Sequence, residues 1–470
     1  MSTPPPREQF RDSLATADPR GRRLWIYPTK PSGRFHDWRV VVAVLLLAFL
    51  FVAPFLRLHG NPLVLLDIVH RQFFIFGLIF WPQDIYLFVL AAIAVVVFII
   101  LFTAAFGRLF CGWTCPQTIF MEMVFRKIEY WIEGDGPRQR ELARAPMSAG
   151  KLYKRVSKHA IFFAIAFVIG NTFLAYFIGS DALFHIMASP PTDHMVGFSL
   201  MLIFSLVFYW VFAWFREQVC TLVCPYGRLQ SVLLDPNSIV VGYDFKRGEP
   251  RGPGSRKGAK SDLGDCIDCG ACVRVCPTGI DIRNGTQLEC INCTACIDAC
   301  DHIMDKVGLP RGLVRYTSYE GITSGIGLRV TPRMKLYSAV FTILVGALVT
   351  LLLLRTPVEA TVLRAAGSLF EELSDGSVRN LYTITVTNKT SENLPVTLRL
   401  LAPAQGQLTL LGPELVAPPQ GQDESVFSIQ IPKTAIYSAN SLLTIGVFSG
   451  AREVAKVHTS FAAPLPKAGR

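Results

Sequence analysis

Eight of the chain's twelve cysteines fall into two runs of identical spacing, and no other feature restricts the local fold so tightly. The runs are Cys266-x2-Cys269-x2-Cys272-x3-Cys276-Pro277 and Cys290-x2-Cys293-x2-Cys296-x3-Cys300. Three thiols within seven positions require a tight loop around one small object. Such a loop wraps three corners of a [4Fe–4S] cube, and the fourth cysteine reaches the other cube when two such runs share a module. On that rule Cys266, Cys269, Cys272 and Cys300 hold one cluster, and Cys276, Cys290, Cys293 and Cys296 hold the other. Gly270, Ala271 and Ala295 are small enough for backbone amides to approach the sulfurs. Zinc ribbons separate their C-x2-C pairs by a dozen or more residues, roughly. Here four cysteines crowd into each run, which favours iron–sulfur chemistry. One departure stands out: Asp301 follows Cys300 where the pattern expects proline. The ligand count is intact, so altered local geometry or potential is expected there.

The other four cysteines form two matching pairs, Cys111-Gly-Trp-Thr-Cys115-Pro116 and Cys220-Thr-Leu-Val-Cys224-Pro225. A proline after the second cysteine disfavours helix at that cysteine, so each pair marks a helix end or break. Three chemistries fit. Thiolates are soft ligands suited to Cu(I). A dithiol can cycle to a disulfide. The four can also ligate a further cluster together.

With 51% hydrophobic residues, the chain is too apolar for an ordinary soluble protein. Val40–Phe55, Tyr86–Phe106, Ile161–Ile178, Val196–Phe215 and Ala339–Leu354 are candidate membrane spans. The net charge of +11 does not indicate nucleic acid, because basic residues cluster beside the spans. Segment 1–39 carries eight Lys/Arg, segment 108–158 carries ten, and loop 180–195 carries none. The positive-inside rule therefore places 1–39, 108–158 and 216–336 in the cytoplasm. No cleavable signal peptide is visible, and thiols on the cytoplasmic side stay reduced. Two spans lead to each C-x3-C-P pair, each preceded by an aromatic and a basic residue (Phe106 and Arg108; Phe215 and Arg216). That is a weak internal repeat of the kind that frames a site.

Pro62–Pro82 is apolar but contains Asp67, His70 and Arg71. Were it a span, the basic segment 108–158 would lie outside, so it reads as a re-entrant or interfacial helix. His59, His70, His185 and His194 fall near the outer face with Asp193, a set able to bind metal or a quinone head group. Segment 244–262 is a Gly/Pro/basic linker into the cysteine-rich module.

After Arg355 the pattern changes. Leu381–Thr387 alternates as a strand, followed by strand candidates at Val396–Leu401, Gln407–Leu411, Glu424–Ile431, Ser441–Phe448 and Glu453–Phe461. Short strands with Gly/Pro/Asn turns between them suggest an Ig-type β-sandwich without a disulfide. The chain thus divides into a tail (1–38), a four-span domain with both C-x3-C-P motifs (39–235), a linker and two-cluster ferredoxin domain (236–336), a last span (337–355) and an Ig-like domain (356–470).

This order of spans, two C-x3-C-P pairs, an Arg-Gly-Glu-Pro-Arg-Gly linker, two cluster runs, a last span and an Ig-like tail resembles the FixG/CcoG/RdxA family, the bacterial cytochrome c oxidase accessory proteins. The C-x3-C-P pairs alone are shared with membrane ferredoxin proteins of nitrate and nitrous oxide respiration; the tail separates the families. The resemblance implies two [4Fe–4S] clusters and a cupric reductase, turning Cu(II) into Cu(I) for assembly of cbb3-type oxidase. The implied partners are the membrane, copper ions, and oxidase subunits or copper chaperones and transporters. Cys111, Cys115, Cys220 and Cys224 are then the expected catalytic and copper-binding residues. The electron donor, quinol or a cytoplasmic reductant, is in no visible motif. A quinol-linked respiratory conduit and a non-enzymatic assembly scaffold, its tail binding the partner, are the alternatives.

Overall fold

The computed structural model describes residues 15–464 except 19, 59, 69–70, 254–262, 326, 328, 366, 368, 391 and 437. The chain separates into two compact units, Met1–Leu348 and Val349–Arg470.

Among the described residues, five helices are long and apolar enough to cross a membrane: Arg34–Phe55, Pro82–Phe106, Ala149–Ile178 and Met195–Phe215 in the first unit, and Pro332–Leu353, which runs from the first unit into the second. Their central stretches are apolar on every side, and large side chains such as Val44, Leu45, Ile93, Val96 and Ile203 point outward. That pattern suits a helix whose surroundings are hydrocarbon, because all its backbone hydrogen bonds close internally. Ala149–Ile178 lies against Met195–Trp210, with Gly170 letting Ser205 and Phe204 come close. Below this contact sits an aromatic core in which Phe125 stacks on Phe212 at 4.7 Å and meets Phe162 edge-on at 4.8 Å.

Segment 62–82 is not the helix expected from its hydropathy. It is a three-stranded antiparallel sheet, Val64–Asp67, Gln72–Ile75 and Leu78–Phe80. Ile75 pairs with Leu78 across the two-residue turn Phe76-Gly77, both at positive φ. This is the mirror-image turn that matches strand twist. Aromatic and aliphatic residues fill the strands, while Asp67 ends the first strand and Arg71 precedes the second.

The cysteine-rich module is built on a short antiparallel pair, Val240–Tyr243 with Val314–Thr317, and the helix Ala295–Val307. It docks on the first membrane helix through a cap supplied in trans. The Asp298 carboxylate accepts from Phe35 N–H at 3.1 Å and His36 N–H at 2.8 Å. These are orphan donors of the helix start at Arg34, satisfied by a negative charge.

The second unit holds two sheets. One has the order 407–410, 422–432, 377–388, 358–364, with Glu371–Glu372 pairing to 377–388; the other runs 415–417, 394–402, 440–449, 452–462. Val378, Tyr382, Ile384, Val386, Phe427 and Ile429 are fully buried from one sheet, with Leu443, Ile445, Val447 and Phe461 from the other. All six expected strands are present. Val358–Arg364 and Leu415–Ala417 are additional. Asn388 shows why a turn follows the long strand: its amide donates to the carbonyls of Glu392, Ala417 and Pro418, and its oxygen accepts from Thr390.

Candidate functional site

The eight cysteines of the two runs line two small cavities of equal size, about 20 Å³ each. Cys266, Cys269, Cys272 and Cys300 line the first, with Tyr243, Met304 and Leu313. Cys276, Cys290, Cys293 and Cys296 line the second, with Ile280, Ile282 and Ile291; Cys272 stands in this wall too. The fourth cysteine of each run therefore faces the cavity of the other run.

Both loops use the same backbone device. In the first run Asp268 and Gly270 have positive φ; in the second, Asn292 and Thr294 do, at the same two positions around the central cysteine. Alternating hand turns successive N–H groups to one side and forms a concave anion site. Asp, Asn and Gly tolerate this conformation, but β-branched Thr294 at φ 65° is strained. The runs then diverge where proline is missing. After Cys276-Pro277 the chain turns away. After Cys300 the helix continues through Asp301 to Val307, and the Asp301 carboxylate accepts from Gly312 N–H at 2.9 Å.

None of the twelve cysteines is disulfide-bonded. Burial pushes the Cys272, Cys290 and Cys300 thiols up to about 12 and Cys293 up to about 11. A bare thiolate is unfavourable in such places, so these pockets suit a group that binds thiolate with compensating positive charge. Four thiols around the first cavity and five around the second, largely apolar walls and a loop conformation that favours anions fit a [4Fe–4S] cluster in each.

The two C-x3-C-P pairs converge, and their loops are near copies. Each preceding span ends at a residue of the same unusual conformation, Gly107 at φ 57°, ψ −133° and Arg216 at φ 53°, ψ −126°. A short helical turn follows, Leu109–Trp113 in one half and Val219–Val223 in the other. In both, the first cysteine's N–H bonds three residues back (Cys111 to Arg108 at 3.0 Å, Cys220 to Glu217 at 3.1 Å). The second bonds five back (Cys115 to Phe110 at 2.9 Å, Cys224 to Val219 at 2.8 Å). Cys115 and Cys224 are extended, and the following proline opens the next helix.

Each following helix then flanks the opposite pair. Gln230 of Pro225–Leu233 accepts from the Cys111 thiol at 2.9 Å. Gln117 and Thr118, after the first pair, line the cavity at Cys220. Burial pushes Cys111 up to about 11, with Cys115 and Cys224 pushing the same way, and Cys220 up to about 12, with Cys115, Cys111 and Cys224 adding to it. The four thiols form one electrostatic group.

Arg108 joins this group to the second cluster cavity. Its buried guanidinium bonds Cys111 and the Leu288 carbonyl, and its charge acts on Cys111, Cys220 and Cys290. Gly227 leaves room for it, since a Cβ there would lie 2.8 Å from Nη2. Cys111 and Cys293 belong to one apolar cluster with Ile291. Ile291 and Thr278 line both the second cluster cavity and the cavity at Cys220. Gly112 sets the approach: a Cβ on it would meet the Ile291 carbonyl oxygen at 2.4 Å.

The histidines give less. His185 and His194 lie ring to ring at 5.3 Å, while His59 and His70 lie outside the described residues. Among the described residues, no three His, Cys, Asp or Glu side chains are close enough to hold a single metal ion.

Apolar spans, two four-thiol cavities and a third cysteine group define a membrane-associated iron–sulfur protein. Residues 215–319 match the family model described as a 4Fe-4S dicluster domain, residues 88–134 a 4Fe-4S binding domain, and residues 348–464 the IG-like fold at the C-terminal of FixG. The nitrogen fixation protein FixG of Rhizobium meliloti is 35% identical, over 81% of this chain and 79% of its own. Protein RdxA of Cereibacter sphaeroides is 37% identical over 79% and 81%, and protein RdxB of the same organism 35% identical over 83% and 85%. The chain belongs to the FixG/RdxA family. A solved FixG-related protein from Vibrio parahaemolyticus aligns with 24% of this chain and all of its own at 20% identity and a TM-score of 0.20.

Proposed function

We propose that this chain is a membrane electron-transfer oxidoreductase that reduces Cu(II) to Cu(I) for assembly of a cbb3-type cytochrome c oxidase. The observation that carries the reading is the sharing of walls. Cys272 borders both cluster cavities, and Ile291 and Thr278 border the second cavity and the Cys220 cavity. Three thiol groups therefore stand in a row, each a side chain from the next. A bound [4Fe–4S] cluster stores and releases single electrons at a potential set by its surroundings. The chain's own residues keep water from the row: isoleucines and Leu313 wall the cavities, and Arg108 balances negative charge between the second and third groups. Cu(II) gains one electron in becoming Cu(I), matching a one-electron donor, and the product suits soft thiolates. The family resemblance supplies the acceptor and the oxidase.

The test uses the full chain in detergent, anaerobically, with its iron–sulfur groups chemically reduced. Adding Cu(II) should restore the oxidised absorbance within the mixing time and yield one trapped Cu(I) per electron stored. Reoxidation by a quinone analogue alone would support the respiratory conduit instead. Rescue of oxidase assembly by a cluster-free variant would leave only the scaffold reading.

We also infer that the N-terminus and cluster module face the cytoplasm and the Ig-like domain the periplasm, from the basic flanks of the spans. A reporter fused after Gly252 should be active only as a cytoplasmic marker, and one after Ser377 only as a periplasmic one. The opposite pattern overturns the placement.

A further inference from the structure

We propose that the cavity beside Arg108, at the end of the second span, binds a membrane quinol that feeds electrons into the second cysteine cavity. This rests on the electron-transfer reading above and names its donor.

The cavity differs from those that hold the cysteines. Its volume is about 330 Å³, against about 20 Å³ for the cavities at the two runs and at Cys220. That lies within the roughly 300–1,000 Å³ of pockets that take a small organic molecule. Ser231 and Leu234 line one side, residues 286–289 another, and Arg108 stands with them.

Ordered elements set its place. Arg108 follows the span Pro82–Phe106 by two residues. Just beyond the helix Pro225–Leu233, the Ser238 hydroxyl donates to the Ala104 carbonyl at 2.7 Å and the Ile239 N–H to the Ala105 carbonyl at 3.0 Å. These bonds tie that helix, and the cavity wall it supplies, to the end of the span. Leu288 in the wall, and Leu229 and Val232 on the helix, are exposed. Large apolar side chains gathered at a span end mark a surface that faces lipid. An amphiphile dissolved in the membrane therefore has access to the cavity.

The lining selects the chemistry. Arg108 brings a positive charge and Glu289 a negative one. A lipid phosphate would be drawn by the first and repelled by the second. A neutral ring bearing two hydroxyls suits both. The Ser231 hydroxyl already donates to the Arg228 carbonyl at 2.7 Å, so its oxygen is the atom that accepts from a quinol hydroxyl. The Glu289 carboxylate is the second acceptor.

Position supplies the redox route. Glu289 directly precedes Cys290 in the chain, and Arg108 bonds both the Leu288 carbonyl and Cys111. The cavity thus abuts the second cysteine cavity and the four-thiol group. A quinol that becomes a quinone gives up two electrons and two protons. The electrons leave one at a time through the iron–sulfur site and reduce two Cu(II) to two Cu(I). One proton goes to the Glu289 carboxylate and the other to water.

The test uses the full chain in detergent, anaerobic and oxidised, with a photoreactive azido-ubiquinone of short tail. Labelling should saturate, fall on peptides that contain 231–234 or 286–289, and be displaced by the unmodified quinone. Leu234→Trp, which fills the cavity, should weaken binding by about tenfold or more. Its iron–sulfur EPR signals after chemical reduction report that it folds. Glu289→Gln should keep the labelling but slow reduction of the iron–sulfur groups by quinol by about a hundredfold, because the proton acceptor is gone. Labelling that does not saturate, that spreads along the spans, or that Leu234→Trp leaves unchanged overturns the proposal. A phospholipid held in the cavity that quinone does not displace overturns it too. Copper reduction by chemically reduced protein needs no quinol, so failure of that reading shows separately from failure of this site.

Discussion

Replacing Cys300 with alanine should remove the same cluster as replacing Cys266, although the two residues lie in different runs. Each single variant should lose about four iron per chain, and the double variant Cys266→Ala/Cys300→Ala should lose no more than either alone. Pairing Cys300→Ala with Cys290→Ala should instead lose about eight, because two clusters are struck. The reason is geometric. The helix Ala295–Val307 carries Cys296 and Cys300 one turn apart on one face, and the chain crosses so that Cys296 faces the second cavity and Cys300 the first. Cys276 makes the reciprocal crossing. Iron analysis with EPR on anaerobic protein separates the outcomes. If Cys300→Ala and Cys290→Ala prove non-additive while Cys300→Ala and Cys266→Ala add, each run binds its own cluster and the crossing is wrong.

The spacing of the runs predicts this division of the eight cysteines, because each three-cysteine loop is local in sequence, and the cavity linings group them in the same way. The five long apolar helices were equally plain, since nothing but hydrocarbon tolerates such composition. What escaped depends on residues distant in sequence. Segment 62–82 has the hydropathy of an interfacial helix, yet Phe76-Gly77 closes a hairpin there; the signal was the glycine between two aromatic and β-branched stretches. Val358–Arg364 follows a membrane helix so closely that its alternation is masked. The sequence showed two C-x3-C-P pairs at equivalent places but not that they meet, which depends on Gly227, where a Cβ would crowd Arg108 and the Cys220 carbonyl. The basic residues of 108–158 are a mixed population. Arg108, Arg126 and Lys158 are buried against thiols or carboxylates, so part of the apparent flanking charge is internal structure.

That internal charge predicts the largest stability effect. Arg126 is 2% exposed, with Glu122 at 3.2 Å and Glu217 at 3.8 Å. Glu217 also meets Arg23 at 3.1 Å; close by, Arg216 pairs with Glu129, and Lys158 holds Glu129 at 3.6 Å and Glu133 at 2.9 Å. Arg126→Met keeps much of the volume but takes the paired cation from Glu122 and leaves Glu217 with Arg23 alone, in a low-dielectric interior. Removing one partner of a buried pair costs about 3–5 kcal/mol, which should appear as a clear fall in melting temperature in detergent. Restoring balance with Glu122→Gln and Glu217→Gln on the same background should recover most of it, since an apolar or neutral replacement of a whole buried network is often nearly neutral. The exposed pair Arg311–Asp305 at 2.8 Å is the control, and Arg311→Ala should leave the melting temperature unchanged. Acid gives an independent reading. Burial alone would raise the Glu129 carboxyl, but Arg216, Lys158 and Arg126 more than offset it and hold it below its usual range. A depressed carboxyl contributes stability that is complete above its unfolded value and lost as pH falls through the folded one. The melting temperature should therefore hold through mildly acidic pH and drop below the ordinary carboxylate range, and Glu129→Gln should lower the plateau while flattening that drop. Because the Cys220 N–H bonds the Glu217 carbonyl, the same Arg126→Met variant should disturb the four-thiol site before the two ferredoxin-type cavities. Simultaneous loss of all three would show that the charge network supports the whole unit.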